Sequence, residues 1–202
     1  MAHQREREFF RLFKKVGLRE FKTQKILDVG CGYGVGLREF IRWGARPENL
    51  FGIDLLGERV EVARHLCPAC VSIQQGNATA LPWSSGTFDL VSQGTLFTSL
   101  LDPQMRRQAA QEMVRVLKPG GMVLWFDFRV NNPRNPDVRG VGRREIQELF
   151  PGCAVCLLHT VLLPPLARRL APYSWLLCEI LAKIPFLCTH YAGAIRRPVA
   201  QP

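Results

Sequence analysis

The sequence predicts an α/β fold in which a doubly wound, mostly parallel sheet is covered by helices on both faces. Two observations carry this expectation. Between Lys25 and Val130, apolar runs of strand length alternate with helix-like segments, and the runs are continuously apolar, as strands buried on both faces are. Size agrees: 202 residues with 47% apolar and 22% charged residues suit one soluble core and exclude extended disorder and an integral membrane protein.

In chain order, residues 6–15 read as an amphipathic helix with Phe9, Phe10 and Phe13 on one side, inside an N-terminal helical extension, 1–24. Residues 26–29, 50–53, 71–74, 88–92 and 122–128 read as five strands of a core, 25–130, with mostly helical connections. One helix is clearly punctuated: Asp102 can cap its start, Pro103 sits where a missing N–H costs nothing, and Pro119-Gly120-Gly121 ends it. The remainder, 131–202, opens with a turn-rich loop, Asn131 to Pro136, followed by a helix over 143–150. Strands over 153–163 and 189–196 then flank an insertion, 164–188, that holds an apolar helix over 173–183.

A net charge of +10 favours anionic partners: an acidic substrate, nucleic acid or a membrane surface. No uncharged apolar run reaches the length of a membrane span, and the first ten residues alternate Arg and Glu where a signal peptide needs an apolar centre. The expected location is the cytoplasm. Seven cysteines are an odd number in a chain that needs no staples, so reduced thiols are expected. Of the two C-x-x-C pairs, Cys67/Cys70 and Cys153/Cys156, the second lies in an apparent strand, where positions three apart point to opposite faces. No bound metal is expected.

The strongest motif is Ile26-Leu27-Asp28-Val29-Gly30-Cys31-Gly32-Tyr33-Gly34-Val35-Gly36, a buried strand entering a glycine-rich turn and then a helix. Such a turn lets a ligand approach the backbone, and the helix start offers free N–H groups to an anionic end. The dinucleotide pattern G-x-G-x-x-G fails, because the sixth residue is Val35 counted from Gly30 and Leu37 counted from Gly32. The spacing is G-x-G-x-G, preceded by Asp28.

This motif resembles the first motif of class I S-adenosylmethionine-dependent methyltransferases, and the resemblance extends over residues 25–128. Asp54 lies 20 residues after Gly34 at the end of the second strand, where that family places a ribose-binding carboxylate. Gln75 to Trp83, Phe88-Asp89-Leu90-Val91 and Val116-Leu117-Lys118-Pro119-Gly120-Gly121 are similar to its later motifs, nearest to the small-molecule, type 11-like branch. The resemblance implies a Rossmann-like seven-stranded sheet with one antiparallel strand, and S-adenosyl-L-methionine as cofactor. It implies that Gly30, Cys31, Gly32 and Gly34 wrap the methionine portion, with Asp28 ordering the loop or reaching the ammonium. Asp54 would accept from the ribose hydroxyls, Leu55 would cover one adenine face, and Asn77, where the family usually carries Asp, would accept from the adenine amino group. Ala78 would donate its backbone N–H, and Gln93 would lie near the methionine end.

In the resembled fold the acceptor enters over the ends of the fourth and fifth strands, where this chain has Gln93, Thr95, Ser99, Asp127, Arg129 and Arg134. Methyl transfer from a sulfonium needs alignment, desolvation and, for some acceptors, removal of a proton. Asp127 is the candidate base, or alternatively a cap for the following turn. Thr95, Arg129 and Arg134 are candidate acceptor contacts, and His159, His190 and Tyr191 are weaker acid–base candidates. Trp175 in the insertion is a candidate pocket wall, with a dimer interface, a peripheral membrane contact or packing onto the sheet left open. The expected activity is methylation of oxygen or nitrogen in a small or medium-sized molecule, anionic or apolar. An RNA methyltransferase and an inactive cofactor-binding scaffold for a partner protein are the rivals; dispersed basic residues and the lack of an RNA-binding module disfavour nucleic acid.

Overall fold

The computed structural model describes residues 2–132 and 135–199, with side chains from Arg5 onward. Seven strands form one sheet: β1 (Ile26–Val29), β2 (Leu50–Asp54), β3 (Ser72–Gln75), β4 (Phe88–Gly94), β5 (Leu117–Phe128), β6 (Ala154–Leu162) and β7 (Cys188–Arg196). Their order is β3-β2-β1-β4-β5-β7-β6, with β1 to β5 parallel and β7 antiparallel to both of its neighbours. The order reverses between β1 and β4, which opens a crevice at the carboxyl ends of these strands.

Alternating side chains divide the core between two faces. Leu27, Val91, Val123 and Trp125 meet Phe97, Met113 and Ile146 from α4 (Leu96–Ser99), α5 (Pro103–Val116) and α6 (Arg143–Leu149). On the other face Ile26, Leu90, Met122 and Leu124 meet side chains of α1 (Ala2–Val16), α2 (Val35–Arg42) and α3 (Gly57–Leu66). Asp102 caps α5 by accepting from the Gln104 N–H at 2.7 Å, with Pro103 in the first turn. β5 begins at Leu117, earlier than its apolar run suggests, because Leu117 pairs with Phe88 and a register shift between Phe88 and Leu90 absorbs the Pro-Gly-Gly turn.

Two expectations are revised. On α1 the buried stripe is Phe9, Leu12 and Phe13, at i, i+3 and i+4, while Phe10 is 49% exposed because adjacent helical positions diverge by about 100°. The insertion contains two helices, not one: α7 (Pro164–Leu170) begins on a proline pair, and Ser174 caps α8 (Trp175–Leu181) by accepting from the Leu177 N–H at 3.2 Å. Neither helix contributes a buried residue, so the insertion does not pack onto the sheet as a core helix would. Its neck is pinned where the Leu163 N–H donates to the Leu187 carbonyl at 2.8 Å.

Arg106 is the one fully buried cation among the described residues. From α5 it donates to the Leu100 carbonyl, to Glu145 of α6 at 2.7 Å and to the Arg139 carbonyl at 3.0 Å. Removing it strands two carbonyls and takes from Glu145 one of its two arginine partners, the other being Arg139. Arg106→Met should therefore cost about 3 kcal/mol in urea unfolding; a loss under about 1 kcal/mol, as for a surface pair, would show that the network does not tie α5 to α6.

Candidate functional site

A cavity of about 600 Å³ lies at the carboxyl ends of β1, β2 and β4. Ten of the sequence-derived candidates line it: Asp28, Gly30, Cys31, Gly32, Asp54, Leu55, Asn77, Ala78, Gln93 and Thr95. The loop after β1 forms its floor. Gly32 has φ +52° and nothing within 4 Å of where a Cβ would sit, so the backbone there is open to a ligand. Gly34 does a different job: it does not line the cavity, and at φ +70° a Cβ would come within 2.7 Å of the Cys67 sulfur, so its small size lets the loop close onto α3.

One carboxylate holds the loop and a second lies beneath it. Asp54 accepts from the Gly32 N–H at 2.8 Å through Oδ2 and from the Leu56 N–H at 3.0 Å through Oδ1. Each oxygen keeps a further lone pair for a ligand hydroxyl. Asp28 is buried beneath the loop, accepts from the Ser92 hydroxyl at 2.5 Å, and lies so close to Gly36 that a Cβ there would meet Oδ2 at 2.6 Å. Burial, opposed by the Ser92 hydrogen bond, pushes its pKa to about 6. Burial also raises the Cys31 thiol well above its usual range, which keeps it protonated.

The remaining wall is largely apolar, with Leu55 61% exposed at the mouth and Leu96, Leu100, Met105, Leu124 and Phe126 on the side of β4 and β5. Asn77 already accepts from the Thr79 N–H at 3.0 Å, so an adenine amino group would take its second lone pair. Thr95 has φ 60°, uncommon for a non-glycine residue, and is held by its N–H to the Phe126 carbonyl at 2.8 Å and its hydroxyl to the Gly94 carbonyl at 2.7 Å. Gln93 is 2% exposed; its Oε1 accepts from the Leu96 N–H at 3.1 Å, whereas its Nε2 has no partner.

Asp127, Arg129 and Trp175 lie elsewhere. Asp127 is fully buried away from the cavity and accepts from the backbone N–H groups of Phe128 and Thr98 at 2.9 and 3.2 Å, which anchors α4 and leaves no path to an acceptor. Its pKa of about 7 comes mainly from desolvation. Arg129 donates to the Cys188 carbonyl at 2.9 Å and faces the Tyr191 ring. Trp175 is 64% exposed and lies beneath the Arg7 guanidinium, outside the cavity. Arg134 falls outside the described residues. His159, His190 and Tyr191 do not line the cavity either, and burial lowers His190 to about 4.

Sequence reasoning missed the roof. Arg5 and Phe9 of α1 line the cavity, and Arg5 pairs with Glu39 of α2, another lining residue. Nothing local in an Arg/Glu-rich amphipathic helix says that it folds back over a glycine loop. Trp43, around which Phe9, Phe10, Phe13, Phe21 and Phe40 gather, was the available signal: so many aromatics on separate segments need a common neighbour.

With this geometry in view, residues 26–121 match the family described as "Methyltransferase domain". The chain is 34% identical over 115 residues to a phthiotriol/phenolphthiotriol dimycocerosates methyltransferase of Mycobacterium ulcerans, a match covering 56% of this chain and 41% of the relative. It is 34% identical over 119 residues to the demethylmenaquinone methyltransferase of Staphylococcus aureus, covering 58% and 47%. The match thus spans less than half the length of these relatives. A solved S-adenosylmethionine-dependent methyltransferase from Methanosarcina mazei shares the fold at TM-score 0.69 and 17% identity, covering 93% of this chain and 99% of that one.

S-adenosylmethionine is accordingly the expected cofactor of the domain, and the residues present fit it. The orphaned Gln93 amide nitrogen calls for an acceptor, the exposed face of the glycine loop admits a close ligand, and three carboxylates suit a cationic one. Because Asp28 takes up a proton near pH 6, its attraction for the amino-acid ammonium should fade on acidification. Calorimetry with S-adenosylhomocysteine should show affinity falling as pH drops from 7.5 through about 6, and a flatter profile in Asp28→Asn. Parallel profiles would remove Asp28 from the ligand's charge balance.

Proposed function

We propose that the protein transfers a methyl group from S-adenosylmethionine to oxygen or nitrogen of a small or medium-sized, mainly apolar molecule. The observation that carries this reading is the cavity itself: one enclosure joins the glycine loop, the Asp54 carboxylate and the unpaired Gln93 amide to an apolar wall. When bound, the cofactor supplies an electrophilic methyl group for in-line displacement. The chain's residues then need to hold, orient and keep dry. Asp54 offers its free lone pairs to the ribose hydroxyls, and Asp28 faces the ammonium. Arg5, paired with Glu39, is the cation on α1 that a ligand carboxylate can also claim.

Leu96, Leu100, Met105 and Phe126 exclude water from the reacting centre and favour a carbon-rich acceptor. Relatives named for phthiotriol and demethylmenaquinone act on small molecules, which supports this class. Asp127 supplies no base here because the α4 backbone already occupies it. Alignment and desolvation therefore carry the rate, with an acceptor that ionises readily or loses its proton to water.

Asp54→Ala should weaken S-adenosylhomocysteine binding by about 1–3 kcal/mol, the range for hydrogen bonds to a charged group. Methyl-labelled cofactor incubated with fractionated apolar extract should label a small molecule with the wild-type protein and much less with the variant. Unchanged affinity in Asp54→Ala, or label appearing only in RNA, would overturn the reading.

A further inference from the structure

The insertion between β6 and β7 is built unlike the rest of the molecule. From Pro164 to Leu187, through α7, α8 and the 3-10 turn Pro185–Leu187, no residue is buried. Yet Tyr173 is 89% exposed, Phe186 75%, Trp175 64%, Leu176 63% and Ile180 51%. A monomeric soluble surface rarely gathers so many large apolar side chains in one short segment. The segment is ordered by its own bonds: the Leu163–Leu187 neck, the Ser174 cap, and the Tyr173 and Ser174 N–H groups donating to the Leu170 carbonyl at 3.0 and 2.9 Å. These last bonds place the aromatic residues directly after the end of α7.

That end carries Arg168 and Arg169, and Lys183 follows α8; all three are exposed and enter no ion pair among the described residues. Aromatic side chains beside unpaired cations match the interface of an anionic bilayer, where rings lie at headgroup depth and each cation gains from the surface potential. A second copy of the chain fits less well. A two-fold contact through this patch brings like cations together, in a chain already at +10.

We propose that the α7–α8 insertion docks the protein peripherally on anionic lipid. No helix among the described residues is long and apolar enough to cross a membrane, so the contact lies in the interface plane. Arg7 joins this surface to the roof of the cavity: it pairs with Glu179 of α8 and lies over the Trp175 ring, two residues beyond the cavity-lining Arg5. The inference does not depend on methyl transfer, and cofactor binding serves as the folding control.

The test is flotation with phosphatidylcholine vesicles, with and without phosphatidylglycerol, alongside sedimentation velocity. The wild type should float with phosphatidylglycerol vesicles and lose that partitioning at high salt. Trp175→Ala/Leu176→Ala should reduce partitioning about tenfold, and Arg168→Glu/Arg169→Glu about tenfold or more on anionic vesicles alone, both with wild-type affinity for S-adenosylhomocysteine. Absence of wild-type flotation overturns the proposal. So does a wild-type dimer that Trp175→Ala/Leu176→Ala dissociates without any vesicle binding, which would assign the patch to a second copy.

Discussion

The site depends on one carboxylate serving two loops. Asp54, at the end of β2, receives the N–H of Gly32 from the loop after β1 and the N–H of Leu56 from its own loop. These contacts fix the distance between the glycine turn and the apolar mouth at Leu55. A neutral side chain would make weaker hydrogen bonds to the same donors, since an ionised acceptor roughly doubles their strength. The carboxylate is buried yet doubly solvated by backbone, so it stays available to a ligand without having to reorganise.

Asp28 complements it from below. It lies under the loop on the α1 and α2 side of the sheet, bonded to Ser92 of β4, and the absence of a side chain at Gly36 lets α2 start directly over it. The glycine pattern therefore has two physical origins. Gly32 leaves room for what binds; Gly34 and Gly36 leave room for the protein's own Cys67 and Asp28.

Most of the parallel strands were legible as largely apolar runs, although β3, Ser72–Gln75, buries Ile73 alone, and the glycine spacing with Asp28 and Asp54 marked the cofactor side. The acceptor side was less so. Asp127 lies at the end of β5 and looks like a base, but its burial and its bond to Thr98 depend on where α4 lands, which no local pattern specifies. Trp175 looked like a pocket wall because apolar helices usually pack inward, whereas a proline pair and a serine cap split the insertion into two helices that bury no residue. Arg5 went unseen because its role arises from a contact with Glu39, far along the chain.

The position of β7 bears on how the chain reaches this structure. β7 follows every other element in sequence yet lies in the middle of one side of the sheet, between β5 and β6, with all residues buried except Arg196. β6 has no other strand to pair with among the described residues, so it is held in the sheet through β7, whether it docks after β7 or together with it. During synthesis the five parallel strands can assemble first, leaving the long edge of β5 unpaired and the β6 hairpin arm unattached. Late closure by a non-local strand makes that half of the sheet slow to complete and the open edge the point most exposed to misassociation before it does.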